Sequence, residues 1–143
     1  MAYINDRRKL KLRQLNVYSS PTTITCDFAH WSNTQIENEA IAILEEKFKF
    51  KKNAPMSAWS LIDGRVWSNL QQRTIPIEVK GEVFKEGHLQ TKNKWVHISN
   101  QQLQFLRQNR GLVWLIRFYK TGEYNQNRCR WSLHSLAPED MSD

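Results

Sequence analysis

The sequence predicts an α/β domain, a mixed central sheet flanked by helices. Three observations carry that prediction. Two capping boxes, Ser32 with Gln35 and Ser99 with Gln102, each open a stripe of apolar residues at helical spacing. Around them lie short runs rich in β-branched and aromatic residues, bounded by Gly, Pro and Asn. The most hydrophobic of these, Leu112 to Tyr119, does not alternate, as expected of a strand covered on both faces.

The bulk properties set the frame. A chain of 143 residues suits one domain, 1–143, with a basic N-terminal arm over 1–20 and an acidic tail over 138–143. Lys and Arg number 21 against 14 Asp and Glu, for a formal charge of +7. With an isoelectric point near 9.6 this points to a nucleic-acid partner. No apolar run approaches the ~18 residues of a membrane span, and the basic N-terminus lacks a signal-peptide core. Two cysteines, Cys26 and Cys129, are too few for a disulfide framework. Free thiols and a cytoplasmic, nucleoid-associated location are therefore expected.

In chain order, Arg7, Arg8, Lys9, Lys11 and Arg13 form a basic arm suited to phosphate contacts. Thr22 to Phe28 reads as a weak strand. The first helix is predicted from about Asn33 to Lys47, with Ile36, Ala40, Ile43, Leu44 and Lys47 as its stripe and Glu37 leaning to the core side. Phe48 to Lys51 alternates and predicts a strand with one basic face. Ala58 to Asp63 predicts another, stopped by Gly64. The next, Ile75 to Lys80, contains Pro76, which cannot donate to a ladder, so pairing there should begin late or on one side only. Gly81 to Lys94 is a polar excursion, and Trp95 to Ile98 a short strand. A second helix follows to about Asn109, with Leu103, Phe105 and Leu106 inward and Gly111 just past its end. After the apolar strand come a turn near Gly122 and a last strand from Arg128 to Leu133.

The chemistry centres on Ile75 to Glu82. Period-two alternation puts Ile75, Ile77 and Val79 on one face and Glu78 with Lys80 on the other. A carboxylate and an ammonium on so apolar a strand must be paired or used. Either a plain ion pair or a metal site would satisfy them. Asp63 is the one acid between Glu46 and Glu78, so it is the candidate second ligand.

Glu37 on a first helix, Asp63 ending a strand and Glu78-Val79-Lys80 on the next resemble the PD-(D/E)XK nuclease superfamily. The resemblance covers roughly residues 33 to 119. The text Ile36-Glu37 followed by Leu44-Glu45-Glu46-Lys47 is similar to the first helix of archaeal-type Holliday junction resolvases. Ile62 stands where the family often has proline, and Pro76 is awkward within its strand.

The resemblance implies a restriction-endonuclease-like αβββαβ core and a Mg²⁺- or Mn²⁺-dependent DNA endonuclease of homing, restriction or junction-resolving type. It implies Glu37, Asp63, Glu78 and Lys80 as the catalytic set. Asp63, Glu78, the Val79 carbonyl and Glu37 would serve the metal. A non-catalytic nucleic-acid-binding protein on the same fold is the alternative. Double-stranded or branched DNA would meet Arg7, Arg8, Lys9, Lys49, Lys51, Lys85, Lys92, Lys94, Arg117 and Lys120, with Arg128 and Arg130 nearby, and the protein would act as a homodimer or higher oligomer. Gln102 caps its helix by pattern, although some branches of the superfamily aim a glutamine from this helix into the site.

Two further features bear on this reading. The six tryptophans are expected to anchor the core and interfaces rather than to stack bases. Cys26, His30, Cys129 and His134 offer a rival zinc set, but the pairs come from opposite ends of the chain without the usual spacing.

Overall fold

A computed structural model describes residues 7–11, 16–19, 24–25, 31–84, 95–120 and 128–138. Its elements in chain order are β1 (Arg7–Lys11), β2 (Asn16–Ser19), β3 (Ile24–Thr25), α1 (Asn33–Phe48), β4 (Lys51–Lys52), β5 (Gly64–Ser68) and β6 (Arg73–Phe84). They continue with β7 (Trp95–Ser99), α2 (Asn100–Gln108), β8 (Leu112–Lys120) and β9 (Arg128–Leu136). The α/β class is borne out. Six strands run in the order β2-β9-β8-β6-β5-β4, with β3 also on β9, and β1 and β7 form a separate two-stranded sheet. β6 and β8 are parallel, and the other pairings are antiparallel.

Both predicted capping boxes are present. Ser32 and Ser99 accept the backbone N–H of Gln35 and Gln102, whose side chains accept the Ser32 and Ser99 N–H in return. α1 then buries Ile36, Ala40, Ile41, Ile43 and Leu44, whereas Lys47 is exposed.

β8 feeds two cores at once. Val113 and Leu115 join Leu103, Leu106 and Ile98 near α2, while Ile116 and Phe118 join the α1 residues with Ile75, Ile77 and Val79 of β6. That explains why its sequence is apolar without alternation. α1 lies against β6 at Gly81, where a Cβ would stand 2.9 Å from the Ile36 side chain. As the proline required, pairing at Pro76 is one-sided: it faces Arg65 of β5, and β8 joins only from Ile77.

Several boundaries differ from expectation. Phe48 ends α1, and Lys49 closes it in the left-handed region at φ 57°, so the expected strand over 48–51 shrinks to Lys51–Lys52. Ala58 to Asp63 is turns rather than strand. Asn53 holds it there, donating through Nδ2 to the carbonyls of Trp59 (2.9 Å) and Ile62 (3.3 Å). Gly64 therefore begins β5 instead of stopping a strand, and a Cβ there would overlap the Phe50 ring and the Lys51 carbonyl. The basic arm is in part a strand, because Arg7 to Lys11 pair with β7. The polar excursion expected from Gly81 starts later, because β6 runs on to Phe84 against β8. Its remainder over 85–94, most of the predicted 22–28 strand, the 121–127 turn and residues 139–143 lie outside the described residues.

The free-thiol expectation is overturned, since Cys129 is disulfide-bonded and fully buried in the core. A thiol already oxidised in this way is no zinc ligand, and buried His134 lies against the Ser132 hydroxyl instead. The zinc reading falls on both counts. Cys26 and His30 lie outside the described residues. Among the described residues no helix is long and apolar enough to cross a membrane.

Candidate functional site

The site forms where β5 and β6 part. Their antiparallel pairing ends at Gly64 with Ile77, while β6 continues to Phe84 against β8 alone. Past Ile77 the other edge of β6 has no strand partner among the described residues, so its backbone groups need other partners. Asp63 fills that role. Its Oδ2 accepts the Val79 N–H at 2.8 Å, and its own N–H donates to Glu78 Oε1 at 3.2 Å. The two residues thus extend the ladder by one rung made partly of side chains. A strand residue's N–H and C=O leave by the same edge, so the Val79 carbonyl also faces this gap.

Glu78 is 4% exposed, on the face of β6 opposite Ile77 and Val79. Lys80 shares that face, its Nζ 3.3 Å from Glu78 Oε2. Glu37 comes from α1, which the missing side chain of Gly81 lets close onto β6. As a whole residue it is exposed, yet its carboxyl is partly desolvated and lies close enough to Asp63 to feel its charge. Glu37, Asp63, Glu78 and Lys80, which span 44 positions of the sequence, meet at one sheet edge.

The electrostatics are those of crowded carboxyls. Burial, then the charge of Asp63, pushes the Glu78 carboxyl up to about 8, and Lys80 only partly opposes this. Glu37 is raised as well, by desolvation first and by Asp63 next. One ammonium does not balance three carboxyl groups.

That surplus of hard oxygen suits a divalent cation of the Mg²⁺ type, which takes a few carboxylates and keeps several waters. Asp63 and Glu78, with the Val79 carbonyl, are the fitting ligands. Among the described residues no group of three His, Cys, Asp or Glu stands in metal-binding array, so any cation here would draw on water for its remaining ligands.

The loop that ends in Asp63 is stapled from two sides. Besides its bonds to Trp59 and Ile62, Asn53 donates its N–H to the Asp63 carbonyl at 3.0 Å and accepts from Arg65 at 3.1 Å. Gln102 caps α2 and sends its amide to the Leu61 carbonyl at 3.1 Å. Gln102 was legible as a cap. Asn53 was missed, and an Asn-Ala-Pro break beside two lysines was the one signal available.

The expected DNA-contacting cations divide. Lys49 and Lys51 are exposed beside β5. Arg117 is corrected: it is 4% exposed with its Nε on Glu82 Oε1 at 2.9 Å, which takes it off the surface. The same bond gives the Glu82 carboxylate its partner. Arg130 is exposed on β9 and Arg128 half-buried. The side chains of Arg7, Arg8, Lys9 and Lys120, and all of Lys85, Lys92 and Lys94, lie outside the described residues. Trp131 and Trp114 pack in aromatic contacts with Phe48, as expected of core anchors, whereas Trp67 is 57% exposed and anchors no core.

No protein-family model, curated protein or solved structure matches the chain.

Proposed function

We propose that this chain is a metal-dependent endonuclease that hydrolyses phosphodiester bonds in DNA, built on a restriction-endonuclease-like core of the PD-(D/E)XK type. One observation carries the reading. Asp63 and Glu78 are locked to each other and to the backbone of Val79 at an open strand edge, with Lys80 and Glu37 alongside.

A Mg²⁺ or Mn²⁺ ion held by Asp63, Glu78 and the Val79 carbonyl would supply neutralisation of the scissile phosphate and acidification of water. The chain's own residues do the rest. The Val79 N–H fixes the orientation of the Asp63 carboxylate. Lys80 places an ammonium where negative charge grows as water attacks phosphorus and the 3′ oxygen leaves, giving a 5′ phosphate and a 3′ hydroxyl. Glu37 holds and orients a water from the α1 side. Two-strand cutting calls for two such sites, hence a homodimer or higher oligomer.

The second reading is a non-catalytic nucleic-acid-binding protein. It is favoured by a separate cationic groove that none of the four residues lines. One experiment separates the two. Plasmid and four-way junction DNA are incubated with Mg²⁺ or Mn²⁺ and wild type, Asp63→Ala or Lys80→Ala. Nicking by wild type alone supports the nuclease, whereas binding without nicking supports the alternative. Equal nicking by all three variants removes the reading.

A further inference from the structure

We propose that the groove between the end of α1 and β5 binds single-stranded nucleic acid, with one base stacked on Trp67. This deepens the nuclease reading and rests on it for its biological sense, since it assigns an unpaired stretch of the substrate to the surface beside the site. The groove has a volume of about 590 Å³, within the range of ligand clefts. Lys47, Lys49, Lys51 and Arg65 line it together with Trp67 and Asn69, and among the described residues no carboxylate does. Lys47 and Lys49 also offset the carbonyl end of α1, but Lys51 and Arg65 stand at no helix end.

Trp67 distinguishes this surface from a merely basic one. Its indole N–H donates to Asn69 Oδ1 at 3.0 Å, which satisfies its one polar atom and steadies the ring while the residue stays 57% exposed. A steadied aromatic face among cations is what successive bases and phosphates require, and stacking of this kind is indifferent to sequence. Stacked bases of a duplex would not offer their faces, so the geometry selects unpaired strand. Trp67 lies four residues along β5 from Asp63, roughly 13 Å at strand rise. A strand seated in the groove therefore ends beside the carboxyl cluster.

The test is fluorescence anisotropy with labelled oligo-dT and oligo-U of about 15 nucleotides, and a duplex of equal length, at low salt in EDTA. Wild type is expected to bind the single strands. Trp67→Ala should weaken that binding roughly 10-fold and leave duplex binding unchanged, and Trp67→Phe should keep most of it. Lys51→Ala should flatten the salt dependence by about 0.7 in log–log slope. The dT and U arms identify DNA or RNA as the source.

Unchanged single-strand affinity in Trp67→Ala, or an equal loss for duplex, overturns the proposal. So does sedimentation showing that Trp67→Ala turns a dimer into a monomer, which would assign this face, with Leu70 beside it, to a second copy. Because binding is read without divalent cations, failure here leaves nicking untouched. A protein that binds through Trp67 and never nicks loses only the nuclease reading.

Discussion

The carboxylate of Asp63 accepts the backbone N–H of Val79 at 2.8 Å, across 16 positions of sequence. This bond does the work of a missing strand, and it makes the charge of Asp63 separable from its structural role. Asp63→Asn keeps an accepting oxygen, so its urea stability should lie within about 1 kcal/mol of wild type while nicking is lost. Asp63→Ala leaves a half-buried N–H without its acceptor and should cost about 1–3 kcal/mol. Equal destabilisation by both changes would mean that the bond contributes little.

Glu78 makes stability depend on pH in the direction opposite to an acid whose pKa is depressed by an ion pair. Its ordinary value of 4.5 is pushed up to about 8 in the folded chain, so the native state holds the proton more tightly than the unfolded one. The contribution is fully present below pH 4.5 and is lost as pH rises through about 8, at up to about 1.4 kcal/mol per pH unit. Glu37, also raised, adds in the same sense. Urea unfolding in EDTA across this window should show the slope in wild type and a much flatter profile in Glu78→Gln. Parallel profiles would contradict the buried-carboxyl account.

Cation binding should release a proton. A carboxyl ligand must ionise to bind, and Glu78 is mostly protonated at neutral pH. Titration calorimetry with Mn²⁺ near pH 7, in buffers of different ionisation heat, should report close to one proton released per ion. Release should vanish well above pH 8, and chelation should return the protein to its metal-free pH profile. Buffer-independent heats at neutral pH would count against Glu78 as a ligand.

Asn53 is predicted to act as a positioning residue. Asn53→Ala removes two bonds to the Trp59 and Ile62 carbonyls and the acceptor for Arg65, and should cost about 1–3 kcal/mol. Because its N–H still reaches the Asp63 carbonyl, the fold should survive. The nicking rate should fall by more than the loss of folded protein explains, while oligonucleotide affinity holds. A rate that merely tracks the folded fraction would reduce Asn53 to a structural role.

What the sequence disclosed follows the range of each interaction. Ser32 with Gln35 and Ser99 with Gln102 act over three residues, so both helix starts were legible. Glu78 and Lys80 were legible because alternation is local, and Asp63 because no other acid was available in that interval. The errors came from partners that local periodicity does not register. Ala58 to Asp63 has strand-like composition, but Asn53 bends it into turns through bonds that no periodicity encodes. Arg117 read as a surface cation because Glu82, which buries it, lies 35 positions earlier. Gly64 read as a stop because the Phe50 ring that excludes a side chain there is invisible in one dimension.

The rung shared by Asp63 and Val79 also turns one amide into a gauge of readiness. Deuterium uptake at Val79 can be slow only while the acid is seated, because among the described residues no neighbouring strand shields that edge. A chain whose hairpin has opened locally would betray itself at this single proton before any global unfolding, and in that condition Asp63 and Glu78 would no longer be held together.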